Sequence, residues 1–127
     1  MKSPGLVLDA DAVLAYAQGD AGVGDWIARR ADTGESVLVP VLCLAEAYRQ
    51  APQDHVMLDL IQSLDNVVVT SAERDMAAVM GGFSRSLGRM DLAQVVITAA
   101  EHTVQILTSQ RGLVTKFLPE EWPIIDL

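Results

Sequence analysis

Three acidic residues sit beside the segments of this chain that read as strands. Asp9 directly follows the apolar run Leu6-Val7-Leu8, and Glu46 lies in the helical segment after a second run, Val37-Leu38-Val39. Asp91 opens the helical segment before a later run, Val104 to Leu107. Carboxylates brought together from separate elements can hold a hard cation through oxygen, or divide acid and base roles between them. Each also has a purely structural reading. Glu46 can pair with Arg49 three residues on, and Asp9 or Asp91 can cap the helix that follows it.

What would position these acids is an alternation of strand and helix. After Leu6-Val7-Leu8 the spacing turns helical from Asp9 to Gln18, and Gly19 to Gly24 reads as a loop. Asp25 to Ala31 reads as a short helix with Trp26 and Ile27 inward, Arg29 and Arg30 outward, and Gly34 as its stop. The strand Val37–Val39 leads into a helix from Pro40, a residue suited to a first turn, as far as Gln50. A helix from Asp54 to Ser63, with Val56, Met57, Leu60, Ile61 and Leu64 as its apolar stripe, precedes the strand Val67–Val69. Thr70 and Glu73 have the spacing of a capping box ahead of Met76, Val79, Met80, Phe83 and Leu87, a helical pattern that Gly81-Gly82 weakens. A Ser/Gly/Arg stretch from Ser84 to Met90 leads to a helix over Asp91–His102, and Pro123-Ile124-Ile125 reads as an edge strand. Short continuous apolar strands between helices predict a three-layer α/β/α domain with a central parallel sheet of four to five strands. In such sheets the functional crevice lies beyond the carboxyl ends of the strands, where all three acids fall.

At 127 residues, half of them hydrophobic, the expectation is one domain spanning 1–127 with a core of its own. No apolar run is long enough to cross a bilayer, and Met1 to Gly5 carries no hydrophobic leader, so the expected setting is cytoplasmic with no membrane partner. The lone Cys43 and the two histidines, His55 and His102, suggest neither a disulfide nor a zinc site. The net charge of −8 argues against a general nucleic-acid-binding face, so any polyanion must be gripped locally. Arg85 and Arg89, just before Asp91, and Arg111 are the residues placed to grip a phosphate.

Leu6-Val7-Leu8-Asp9, Val41-Leu42-Cys43-Leu44-Ala45-Glu46, Asp91-Leu92-Ala93-Gln94-Val95-Val96-Ile97-Thr98-Ala99-Ala100 and Ile106-Leu107-Thr108-Ser109 together resemble the successive motifs of PIN domains, in particular the VapC-type ribonuclease toxins. Their order and spacing are similar to that family's over nearly the whole chain, with the middle interval somewhat short. The resemblance implies a metal-dependent ribonuclease in which Asp9, Glu46 and Asp91 hold Mg²⁺ or Mn²⁺. It further implies an RNA substrate, an antitoxin protein as partner, and a homodimer. Two positions depart from the family pattern. Gln110 stands where a fourth acid is usual and brings no charge, and Asp11 stands where a small hydroxyl or amide residue is usual. Asp11 therefore has two readings, as a replacement for the missing charge or as a helix cap.

Two other functions compete. A PIN-like domain with an altered acidic site could be a binding module without catalysis. Leu6 to Val13 also resembles the first motif of haloacid-dehalogenase-type phosphatases, with Asp9 as nucleophile, Asp11 as general acid and Thr70 available. That mechanism lacks a suitable lysine and late acidic pair here, and leaves Glu46 and Asp91 without a role.

Overall fold

The computed structural model describes residues 2–127. Five strands among these residues form one sheet: β1 (Ser3–Leu8), β2 (Glu35–Pro40), β3 (Val67–Thr70), β4 (Gln105–Thr108) and β5 (Ile124–Asp126). Their order across the sheet is β3-β2-β1-β4-β5, and every pairing is parallel. This is the expected three-layer α/β/α architecture, with five strands and Ile124–Asp126 as the edge. Among the described residues seven helices connect the strands: α1 (Ala10–Ala17), α2 (Ala21–Asp32), α3 (Val41–Gln50), α4 (His55–Gln62), α5 (Ala77–Leu87), α6 (Met90–His102) and the single turn α7 (Arg111–Val114).

Alternation along the strands separates two cores, because successive side chains in a strand point to opposite faces. Leu6, Leu8, Val37, Val39 and Leu107 pack against α1, α2 and α4, whereas Val7, Leu38 and Ile106 pack against α5, α6 and α7. Helix α3 closes the end of the sheet and serves both faces, with Leu44 and Ala47 on one side and Cys43 on the other. Helix α6 has no polar stripe over most of its length. All nine residues from Asp91 to Ala99 are buried, so it is a core helix and not an amphipathic one.

Several local expectations are corrected. Helix α2 begins at Ala21 inside the glycine-rich stretch, because the Asp20 carboxylate accepts from the Gly22 and Val23 N–H groups. Helix α5 runs unbroken through Gly81-Gly82 to Leu87 and ends on Gly88, whose φ of 76° suits a residue without Cβ. Thr70 and Glu73 form no capping box: Thr70 ends β3, and Glu73 precedes a 3₁₀ turn with no side-chain cap. On α4 the buried residues are Leu58 and Ile61, while Val56 is 78% exposed. Arg30 is held, with its guanidinium on the Gln105 side chain and beside Glu35.

Candidate active site

The strand order reverses direction at β1: the chain moves outward through β2 to β3, then returns to the other side of β1 for β4 and β5. Parallel sheets open a crevice at such a reversal, outside the carboxyl ends of the two strands. Those ends are Leu8 and Thr108, and Asp9 follows Leu8 directly.

Asp9 is 1% exposed and is fixed from both neighbours of the crevice. One carboxylate oxygen caps α1 by accepting from the Ala12 N–H at 2.8 Å. The other accepts from the Thr108 hydroxyl at 2.5 Å and from the Ser109 N–H at 3.3 Å. Burial nonetheless raises its pKa above the ordinary aspartate value, offset in part by these hydrogen bonds. Among the described residues Asp9 makes no ion pair. It is a buried carboxylate supplied with hydrogen bonds and not with a counter-charge.

Asp91 does not cap α6. Arg89 occupies the cap position, and Asp91 sits buried in the first turn with both oxygens taken by the Arg89 guanidinium, at 3.1 and 2.7 Å. Glu46 lies across a cleft of about 630 Å³ lined by Leu42, Glu46, Arg49, Gln50, Arg89 and Asp91, among others. Its carboxylate accepts from the Arg49 guanidinium and from the Gln50 amide, which together lower its pKa to about 2. The ion pair expected from the Glu46–Arg49 spacing is therefore present. Arg49 is a cleft-lining cation that the sequence reading treated only as a partner of Glu46.

Asp11 is not a helix cap, since Asp9 fills that position; its carboxylate accepts from the Ser109 hydroxyl. Gln110 precedes α7, and its side-chain amide lies 3.4 Å from the same hydroxyl. The two anomalous positions thus meet through Ser109. Arg111 is turned onto β5, paired with Asp126 and the Ile124 carbonyl, and Arg85 is exposed on the last turn of α5. Neither lines the cleft. Lys116 reaches the Ser86 carbonyl, which leaves the phosphatase reading without its lysine at the site.

Sequence reasoning missed the fully buried Gln94. Its side-chain oxygen accepts from the Leu42 N–H at 2.9 Å, and its amide donates to the Ser71 carbonyl at 3.2 Å, tying α6 to the start of α3 and to the loop after β3. A glutamine one turn after an aspartate on an otherwise apolar helix was the available signal.

The donor chemistry suits a hard divalent ion, and the buried, cation-free Asp9 is the kind of group that such an ion satisfies. As the side chains stand, however, no three His, Cys, Asp or Glu residues among those described come within reach of one ion. Two of the three acids are closed by arginine.

No known family's sequence pattern matches the chain, and no curated protein matches it. Solved structures do match in fold. A chain of VapBC2 from Rickettsia felis, solved bound to a DNA fragment from their promoter, aligns with a TM-score of 0.71 at 11% identity, covering 95% of this chain and 97% of that one. A chain of a toxin–antitoxin complex from Klebsiella pneumoniae aligns at 0.64 and 12% identity, covering 94% and 95%. A chain of FitAB bound to an IR36 DNA fragment aligns at 0.59 and 12% identity, covering 95% and 94%. The molecule therefore has the fold of chains found in toxin–antitoxin complexes.

Proposed function

We propose that this chain is a divalent-metal-dependent endoribonuclease of PIN type and the toxin of a toxin–antitoxin pair. Asp9, Glu46 and Asp91 are the ligands in this reading, with Mg²⁺ or Mn²⁺ as the ion. The observation that carries it is Asp9, a buried carboxylate at the reversal of the sheet that makes no ion pair among the described residues. The likeness in fold to chains of toxin–antitoxin complexes supports the toxin assignment. When bound, the ion would activate water and offset the charge that develops on a phosphodiester oxygen. Thr108 and Ser109 orient Asp9 for this role, and Arg89 and Arg49 offer phosphate contacts within the cleft, which neither Arg85 nor Arg111 lines. Asp11 supplies the charge that Gln110 lacks. An antitoxin protein and a second copy of the chain complete the proposed partners.

The test is cleavage of single-stranded RNA with and without Mn²⁺ or Mg²⁺. Asp9→Asn, Asp91→Asn and Glu46→Gln should each abolish it, and metal-independent cleavage or an active Asp9→Asn variant would refute the assignment. Gln110→Asp should tighten Mn²⁺ binding, and Asp11→Ser should weaken it less in that background than in the native one. Mn²⁺ binding without cleavage of any RNA would favour the non-catalytic binding module that Gln110 suggests.

A further inference from the structure

Arg89 stands at the joint between two helices. Gly88 ends α5 in the left-handed region, and Arg89 is extended before α6, so its side chain folds back over the first turn to Asp91. The Nε lies 3.1 Å from one carboxylate oxygen and an Nη 2.7 Å from the other, which uses the same two oxygens that a metal would take. Asp91 is 7% exposed, and a carboxylate so buried needs a counter-charge. Arg89 and a divalent ion cannot both fill that role at full contact. Asp91 is drawn to Arg89 and Glu46 to Arg49 and Gln50, and no three acids among the described residues converge. Arg89 remains 31% exposed and lines the cleft, and the fields of Asp11, Asp9 and Glu46 also reach it. Its backbone carbonyl accepts from the Ala93 N–H whatever the side chain does, so the guanidinium can swing without opening the helix.

Building on the proposed metal-dependent function, we propose that Arg89 is a built-in competitor of the divalent ion. It neutralises Asp91 while the ion is absent, and ion binding displaces it into the cleft, where its fork takes a phosphate of the substrate strand. The site is thereby kept from holding a lone buried charge, and the phosphate-binding cation is presented only once the ion is in place.

The test compares the full-length protein with Arg89→Ala, Arg89→Lys and Arg85→Ala by calorimetric titration with Mn²⁺ and by melting temperature with and without Mn²⁺. Loss of charge-assisted hydrogen bonds to a carboxylate predicts that Arg89→Ala binds Mn²⁺ on the order of tenfold tighter. Arg89→Ala should also show the larger Mn²⁺-induced rise in melting temperature. Arg89→Lys, which keeps the charge without the fork, should fall between. Arg85→Ala removes the same charge without touching Asp91 and should stay close to wild type. With Ca²⁺ in place of Mn²⁺, fluorescence anisotropy should show Arg89→Ala binding a labelled single-stranded RNA several-fold more weakly than wild type.

Equal Mn²⁺ affinity in Arg89→Ala and wild type would overturn the competition while leaving the metal-dependent function intact. Equal tightening in Arg85→Ala and Arg89→Ala would reduce the effect to net charge, which also overturns it. Failure of both wild type and Arg89→Ala to bind Mn²⁺ would refute the metal site itself. If Arg89→Ala does not fold, Arg89→Lys decides the matter, since unchanged Mn²⁺ affinity in that variant is equally fatal.

Discussion

At the scale of single residues, the two acids with opposite pKa shifts make opposite predictions for stability. Burial raises the Asp9 pKa, so the folded state holds its proton more tightly than the unfolded chain does. Ionised Asp9 therefore costs stability as pH rises through and above the ordinary aspartate range, and that cost is fully present at neutral pH. Asparagine caps a helix about as well as aspartate. Asp9→Asn should match or exceed the wild type at pH 7, by up to about 1 kcal/mol or a few degrees in melting temperature, and this advantage should shrink in acid. Urea midpoints at the two pH values check it, and a variant several kcal/mol less stable at pH 7 would mean that the carboxylate is structural. Glu46 runs the other way, since its pKa is lowered to about 2. Its contribution is present above the ordinary glutamate range and is lost as pH falls towards 2, and it is small because Arg49 is 72% exposed.

At the scale of elements, the site depends on α3 and α6 keeping their relative position, and Gln94 makes a buried polar contact between them. Gln94→Ala leaves the Leu42 N–H and the Ser71 carbonyl without their partner and opens a cavity in a closely packed helix. We expect a loss of roughly 2–4 kcal/mol together with weaker divalent binding, read by denaturant unfolding and calorimetry. Unchanged stability would show that the contact is dispensable. Strand order apart, most elements were legible because alternation and helical spacing report directly on burial. The failures have separate causes. Asp20 capped a helix inside what reads as a glycine loop, and packing of α5 against α6 overrode the low helix propensity of Gly81-Gly82. The acids themselves were legible as types at strand ends. Their pairing was not, because whether Asp91 caps α6 or takes Arg89 depends on a backbone turn at Gly88 that residue spacing does not encode.

At the scale of the whole molecule, the sheet is arranged so that its first strand lies at its centre. β1 pairs with β2 on one side, and on the other with β4, which begins only at Gln105. A chain ended at residue 103 would leave an unpaired inner edge on β1 and no Thr108 to hold Asp9, so it should show no cooperative thermal transition. Circular dichroism melting checks this, and a sharp transition in the fragment would mean that the first three strands suffice. The hydrogen bond from Thr108 to Asp9 spans 99 residues of sequence. On a ribosome, which builds the chain from its amino terminus, Asp9 is made 99 residues before its holder. No chain that stops short of Thr108 carries a formed site, and the order of translation itself withholds whatever chemistry Asp9 performs until that residue has been added.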